Sequence, residues 1–139
     1  MPVPSDPEAN KAIIRRLHGE FESDGRMEVA DAILSPTLRT SRRPDRASGP
    51  AGAKAHLAML RRAFPDFRVT IEALVAEGEL VSAYLTMRDT HMGPFRGRAP
   101  TRRLVLWTGM VLYRVRDGKI VEQWGHYDTA AIIARITAG

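Results

Sequence analysis

The chain has 139 residues, of which 44% are hydrophobic and 27% charged, with a formal net charge of +5. These values predict one globular domain over 1–139 that is large enough to bury a core, with residues 1–5 flexible. The absence of cysteine excludes disulfides, thiolate nucleophiles and sulfur-ligated metals. No apolar run is long enough to span a membrane and no signal peptide is legible, so we expect a cytoplasmic protein without a membrane partner.

The positive charge raises the question of a nucleic-acid partner. The basic residues are spread along the chain, mostly as Arg–Arg pairs mixed with acids, and only 6% of the residues are aromatic. Nucleic-acid binders concentrate their charge, and RNA binders add aromatic stacking motifs. We therefore expect a solvated basic surface and no nucleic-acid partner.

The first half of the chain predicts helices. Asp6 followed by Pro7 is typical of a helix start, and apolar residues then recur at helical spacing. The polar stretch 37–48 predicts a loop with at most a brief edge strand. The predicted helices cover 6–23, 27–34 and 49–64.

From residue 67 the apolar period changes to two, which predicts strands. The second of two predicted hairpins turns at Asp117-Gly118, a strong hairpin signal. A Gly/Pro-rich loop separates the two hairpins, and a last helix is predicted over 129–136. The sequence therefore predicts an α+β fold, with N-terminal helices packed on a curved, mainly antiparallel sheet. The predicted strand pairs are 67–77 with 80–91 and 103–116 with 119–128.

The strand over 104–113 is apolar on both faces, whereas an antiparallel strand with one solvated face alternates apolar and polar residues. One face is expected to cover the core or a cavity. The other needs a partner, and we predict a homodimer through the sheet. The first face carries Val105, Trp107, Val111 and Tyr113, and the second Leu104, Leu106, Met110 and Leu112.

The last predicted strand contains the stretch V-E-Q-W-G-H-Y-D at 121–128, whose side chains alternate between two faces. His126 and Asp128 have the H-x-D spacing of non-haem iron sites, which His91 would complete. Such sites usually take their second histidine further downstream, where this chain has none, so no metal is predicted. One face carries Trp124, His126 and Asp128, and the other Gln123, Gly125 and Tyr127.

Several single residues allow two interpretations. Asp128 precedes the last helix, so it is either its N-cap or an acid/base group. His91 opens the Gly/Pro-rich loop, as a surface histidine or as an acid/base group at a pocket rim. Trp107 is a core aromatic, or a stacking surface for a flat ligand if the fold is hollow. His18 and His56 are expected to be structural or exposed. No phosphate, flavin or nicotinamide motif is present, so no bound cofactor is expected.

Three stretches carry a family resemblance: F-P-D-F-R-V-T-I-E-A-L-V-A-E-G, T-H-M-G-P-F-R-G-R-A-P-T and V-R-D-G-K-I-V-E-Q-W. In this order and spacing they resemble the SnoaL-like polyketide cyclase family, which belongs to the NTF2-like, cone-shaped α+β barrels. The resemblance covers the chain from the first helix to the last and implies that fold. Cyclases of the family close the last ring of an anthracycline skeleton by an intramolecular aldol reaction. They use an aspartate on the final strand, aided by a Gln and a His on the preceding strand, and no cofactor or metal.

Alignment on D-G-K carries the family aspartate onto Gly125, and the Gln and His onto Gly109 and Val111. The resemblance therefore implies a pocket that is widened and neutral where the cyclases hold their acid/base groups. Glycine cannot replace a general base. The candidate catalytic residues are His91, Tyr127 and Asp128. The candidate substrate-binding residues are Phe64, Trp107, Gly109, Val111, Gln123 and Gly125.

This pattern is most similar to family members proposed to hydroxylate C-1 of anthracycline-type polyketides. The resemblance implies an antibiotic-tailoring hydroxylase with an aromatic polyketide as substrate and O2 as co-substrate. Without a bound cofactor, the electrons would come from a reduced substrate or an external donor, such as a separate reductase. Two alternatives stay open: an aldol cyclase that uses Asp128 or His91, and a non-catalytic pocket for a hydrophobic ligand.

Overall fold

A computed structural model of the chain describes residues 5–41 and 48–138. The predicted flexible N-terminus lies outside the described residues except for Ser5, and so do residues 42–47 of the predicted polar loop. In the two described stretches, no helix is long and apolar enough to cross a membrane.

The predicted helices are present, with one irregularity. The Asp6 side chain caps helix α1 by accepting hydrogen bonds from the backbone N–H groups of Glu8 and Ala9. The last two turns of the predicted first helix form a π-helix, Leu17–Ser23, which the sequence pattern did not reveal. The α-helices are α1 (Pro7–Arg16), α2 (Val29–Ile33), α3 (Gly49–Ala63) and α4 (Thr129–Thr137).

Five strands form one sheet in the order β1-β5-β4-β3-β2. The chain from β2 to β5 runs antiparallel through the two predicted hairpins. The brief edge strand is β1, which pairs in parallel with β5. The strands are β1 (Leu34–Thr40), β2 (Arg68–Glu77), β3 (Leu80–Thr90), β4 (Leu104–Arg116) and β5 (Lys119–Tyr127).

The sheet has an inner face, which the helices cover, and an outer face, which they leave open. On the inner face, Val81, Leu85 and Tyr113 are almost completely buried. On the outer face, Leu106 and Met110 are 57% and 55% exposed. The predicted α+β fold is therefore confirmed, with one apolar face of β4 in the core and the other uncovered in the monomer.

Candidate functional site

The pairing of β4 with β5 decides which residues point into the fold. Gly109 pairs with Tyr127, and Val111 pairs with Gly125. Since both partners of a pair lie on the same face of a sheet, these residues share the inner face with Trp107. Gln123, Gly125 and Tyr127 therefore face inwards, as the alignment on D-G-K implied for Gly125, while Trp124 and His126 lie on the outer face and are exposed. The role of the inner residues in substrate binding stays a prediction.

The ring of Tyr127 lies over both inner glycines. A Cβ on Gly109 would lie 2.6 Å from Tyr127 Cδ1, and a Cβ on Gly125 would lie 2.7 Å from Tyr127 Cε2. The expectation of a pocket widened at these glycines is therefore wrong, because Tyr127 fills the space that they leave. A cavity of about 240 Å³ remains beside the ring, lined by Gln123, Gly125 and Tyr127 of β5, with walls from Thr40, Ser41 and Thr129.

Further across the inner face lies a buried carboxylate, Asp89 at the end of β3. The indole N–H of Trp107 donates to Asp89 Oδ2 at 2.9 Å, whereas Oδ1 has no hydrogen-bond partner. Burial raises the pKa of Asp89 to about 6, and the nearby Asp66 adds to this rise, while the Trp107 hydrogen bond opposes it. A carboxyl group with this pKa exchanges protons near neutral pH, as a general base must.

His91 is buried two residues further along the same strand end, with no exposed surface. The backbone N–H of Thr101 donates to His91 Nδ1 at 3.2 Å. Nδ1 is therefore an acceptor, and the neutral ring carries its proton on Nε2, which has no partner. The interpretation of His91 as a surface loop histidine is wrong.

The Gly/Pro-rich loop holds His91 in place by packing against the end of α3. The backbone N–H groups of Met92 and Gly93 donate to the Ala63 carbonyl, and a Cβ on Gly93 would lie 2.0 Å from the Arg62 carbonyl oxygen. The His91 ring also packs against Phe64, with 5.7 Å between the ring centroids. Phe64 is completely buried against the His91 ring. Its predicted role in substrate binding would therefore be indirect, through the position of that ring.

Asp128, another candidate catalytic residue, lies between β5 and α4. Its side chain accepts a hydrogen bond from the backbone N–H of Ala131 at 3.1 Å, which confirms that it is the N-cap of α4. His126 lies on the outer face and His91 is buried, so these two histidines do not form a metal-ligand group with Asp128. Among residues 5–41 and 48–138, no group of three or more His, Asp or Glu side chains could hold a metal ion.

Asp89, His91 and Trp107, which we call the Asp89–His91 site, combine an acceptor without a partner, a donor without a partner and an aromatic surface. Sequence reasoning found His91 and Trp107 but missed Asp89. Its signal was available, because Val81, Ala83, Leu85 and Met87 alternate as the buried side of β3 and Asp89 continues that series. Buried polar atoms normally have a hydrogen-bond partner, so these two atoms are candidates for contact with a ligand or water.

The comparisons with known proteins agree with this fold. A family model, SnoaL-like polyketide cyclase, matches residues 12–136. A sequence search of curated proteins found no match.

Three of the similar solved structures illustrate the match. A proposed SnoaL-like polyketide cyclase from Jannaschia sp. CCS1 has 26% identity and a TM-score of 0.82, covering 96% of this chain and 94% of its own. IdmH, a proposed polyketide cyclase from Streptomyces antibioticus, has 27% identity and a TM-score of 0.80, covering 91% and 96%. AclR, a proposed hydroxylase from Streptomyces galilaeus, has 22% identity and a TM-score of 0.81, covering 94% and 97%, which shows a shared fold.

Proposed function

The chain belongs to the SnoaL-like polyketide cyclase family, and on that premise we propose that it is an enzyme that tailors an aromatic polyketide. In this proposal a flat ring system stacks on Trp107, and Asp89 removes a proton from it. The reaction proceeds without a protein-bound cofactor. The observation that carries the proposal is the buried Asp89 carboxyl, whose free oxygen and pKa of about 6 fit a general base.

The substrate enters through the cavity beside Gly125. The volume of about 240 Å³ is below the roughly 300 to 1,000 Å³ of typical ligand pockets. The ring centroids of Tyr127 and Trp107 are 6.1 Å apart, so turning the Tyr127 side chain joins the cavity to the face of Trp107. The glycines under Tyr127 then provide the additional space for a flat ligand.

The first form of the proposed reaction is hydroxylation of a polyketide ring, of which C-1 of an anthracycline-type skeleton is the specific instance. Removing a phenolic proton makes the ring electron-rich enough to reduce O2. One oxygen atom enters the ring and the other leaves as water, which consumes two electrons and two protons. Those electrons come from a reduced substrate such as a dihydroquinone, or from a separate reductase that regenerates it. The protein contributes binding, orientation and proton transfer.

The second form is an intramolecular aldol cyclisation, and one observation favours it. The family cyclases use a carboxylate, and Asp89 supplies one on β3 although Gly125 stands at the usual position. In this reaction Asp89 removes a proton next to a carbonyl, and the carbanion attacks a second carbonyl. The His91 Nε2–H group stabilises the new alkoxide by a hydrogen bond, and Asp89 returns its proton to that oxygen. No electrons are needed, because the product is an isomer of the substrate.

Product mass separates these forms. The purified protein is incubated with an anthraquinone-type polyketide precursor and a reductant under heavy-isotope oxygen gas. Gain of one labelled oxygen, absent without protein, supports hydroxylation, and a product of unchanged mass with altered retention supports cyclisation. Saturable quenching of Trp107 fluorescence without turnover, measured in a Trp124→Phe background, would instead identify a non-catalytic binding protein and overturn the proposed enzyme.

We also propose that two copies associate through the outer face of the sheet. Large apolar side chains there are 37–66% exposed, and they are adjacent across strands, since Tyr84 pairs with Met110 and Leu112 pairs with Trp124. A contiguous exposed apolar patch of this kind is typical of an interface. Sedimentation should show a dimer that Met110→Lys dissociates. A monomeric wild-type protein at micromolar concentration would contradict the proposal.

A further inference from the structure

A second group of buried polar side chains joins the π-helix to β4. His18 is 2% exposed, its Nδ1 is hydrogen-bonded to the Glu22 carboxylate, and its Nε2 lies 2.6 Å from the Tyr113 hydroxyl. The Glu22 side chain is 26% exposed, whereas Tyr113 is completely buried. Carboxylate, imidazole and phenol therefore run in one line from the surface to the interior. We call this line the Glu22–His18–Tyr113 chain.

The hydrogen-bonding chemistry gives the chain a direction. An ionised carboxylate only accepts, so His18 Nδ1–H donates to Glu22, and Nε2 of the neutral ring accepts the Tyr113 O–H. This is the carboxylate–imidazole–hydroxyl order in which an imidazole takes up a hydroxyl proton in serine hydrolases. Burial, and then the nearby Tyr127 and Glu22, raise the pKa of the Tyr113 phenol well above its ordinary value. The phenol thus stays neutral and can pass protons without storing charge.

Local structure holds the outer half of this chain rigidly. The Ser23 hydroxyl donates to the His18 carbonyl at 2.7 Å and accepts from the Val69 backbone N–H at 3.0 Å. The Arg61 guanidinium donates to the Glu22 carbonyl at 2.8 Å. π-helical turns are rare and frequently occur at functional sites. His18 also lines a groove of about 420 Å³ between the π-helix and β2, and solvent reaches the outer end of the chain at Glu22, whose side chain is 26% exposed.

The inner end of the chain lies on the same face of the sheet as the proposed site. The Tyr127 ring extends from Gly109 to Gly125, and its hydroxyl oxygen lies over Gly125, 3.1 Å from where a Cβ would be. Gly125 pairs with Val111, which is the inward position next to Tyr113 on β4. The hydroxyl end of Tyr127 is therefore directed towards Tyr113, while the opposite edge of the same ring faces Trp107.

We infer that Glu22, His18 and Tyr113 are positioning residues that form a proton-transfer chain between solvent and the cavity at Tyr127. The inference rests on the proposed function, because the chain would remove or return the proton that the reaction moves. In one concerted step, a donor in the cavity protonates Tyr113 as Tyr113 passes its hydroxyl proton to His18 Nε2 and His18 Nδ1–H passes its proton to Glu22. Glu22 releases that proton to water, and His18 returns to its starting tautomer before the next transfer. One proton crosses the protein and no electrons move.

Exchange of the Tyr113 hydroxyl proton with deuterated water tests this inference in the substrate-free protein. NMR of protein labelled with carbon-13 at tyrosine Cζ distinguishes the O–H and O–D forms, and Tyr113→Phe identifies the signal. Glu22→Gln and His18→Gln should slow the exchange about 10-fold to 100-fold, as expected when one partner in a proton-transfer network is lost. Unchanged or faster exchange would overturn the inference.

The sign of the effect separates proton transfer from a structural role. A variant that merely loosens the protein opens more often, so its buried hydroxyl exchanges faster. Glu20→Gln is the matched control, since it weakens the ion pairs of Glu20 with Arg16 and Arg26 in the same π-helix without touching the three side chains, and it should not slow the exchange. Because no substrate is present, this experiment can fail while the product-mass experiment succeeds, and the reverse.

Discussion

Two buried polar clusters lie at opposite ends of the β3–β4 pair and differ in how completely they are hydrogen-bonded. In the Glu22–His18–Tyr113 chain, both imidazole nitrogens and the phenol have partners. In the Asp89–His91 site, Asp89 Oδ1 and His91 Nε2 have none. Each buried polar atom without a partner costs about 1–3 kcal/mol of stability. The first cluster therefore stabilises the fold as it stands, and the second becomes favourable only when a ligand or water completes it.

This difference indicates where reacting groups belong. A fold tolerates unsatisfied buried groups mainly where function requires them, at the expense of stability. The fully hydrogen-bonded Glu22–His18–Tyr113 chain is suited to proton transfer, and the Asp89–His91 site is suited to contact with a substrate. Substitutions in each cluster can test this difference.

The largest effect is expected on turnover. Asp89→Asn keeps an oxygen that can accept from the Trp107 indole but cannot take up a proton. If Asp89 is the general base, kcat should fall about 100-fold to 10,000-fold in whichever polyketide reaction the product-mass experiment reveals. Asp24→Asn, the same substitution in an exposed acid, is the control and should leave kcat within about twofold. Equal turnover in Asp89→Asn and the control would remove Asp89 from the mechanism.

The same substitution should change the pH dependence of stability. The Asp89 carboxyl has a pKa of about 6 in the folded protein and an ordinary value of 3.8 in the unfolded chain. Between these values the folded state binds more protons, so this group makes stability fall as pH rises from about 4 to about 6. The difference between the two pKa values corresponds to about 3 kcal/mol of stability lost at pH 7. Asp89→Asn should restore this stability at pH 7 and should have no such effect at pH 4.

Urea unfolding of both proteins across this pH range measures the effect as a difference, in which all other titrating groups cancel. A constant difference between the variant and wild type would mean that Asp89 titrates alike in both states. The Asp89 carboxylate would then not lower the stability of the folded protein, which would contradict the proposed difference between the two clusters.

The sequence predicted the fold well because its signals are local. Alternation separated Gln123, Gly125 and Tyr127 from Trp124 and His126 on the two faces of the last strand, and the position of Asp128 before the last helix gave the helix cap as one of its two interpretations. The π-helix was not predictable, because its apolar spacing resembles that of an α-helix. Tyr127 over Gly109 and Gly125 was missed since no rule tells from sequence whether a glycine leaves space or receives a neighbouring ring.

Matched substitutions of the two buried histidines compare the clusters directly. His18→Phe leaves the buried Tyr113 hydroxyl unsatisfied and removes the partner of the half-buried Glu22 carboxylate. His91→Phe deprives the Thr101 backbone N–H and hydroxyl of their shared partner, and it also removes a donor that had no partner. The free energy of unfolding should therefore fall by about 2 kcal/mol more in His18→Phe than in His91→Phe, by denaturant titration at pH 7. A larger loss in His91→Phe would show that Nε2 is satisfied in solution.

The smallest effect concerns the ring that separates the cavity from Trp107. Gly125→Ala would place a Cβ 2.7 Å from Tyr127 Cε2, so the ring must shift at a cost of about 1–3 kcal/mol in stability. Gly19→Ala, where a Cβ would meet no atom within 4 Å, is the control and should not destabilise. In a Tyr127→Ala background the penalty of Gly125→Ala should largely disappear, since the two sites are in contact. If it persists, Tyr127 does not occupy the glycine surface in solution, and the cavity already extends to Trp107 without movement of the ring.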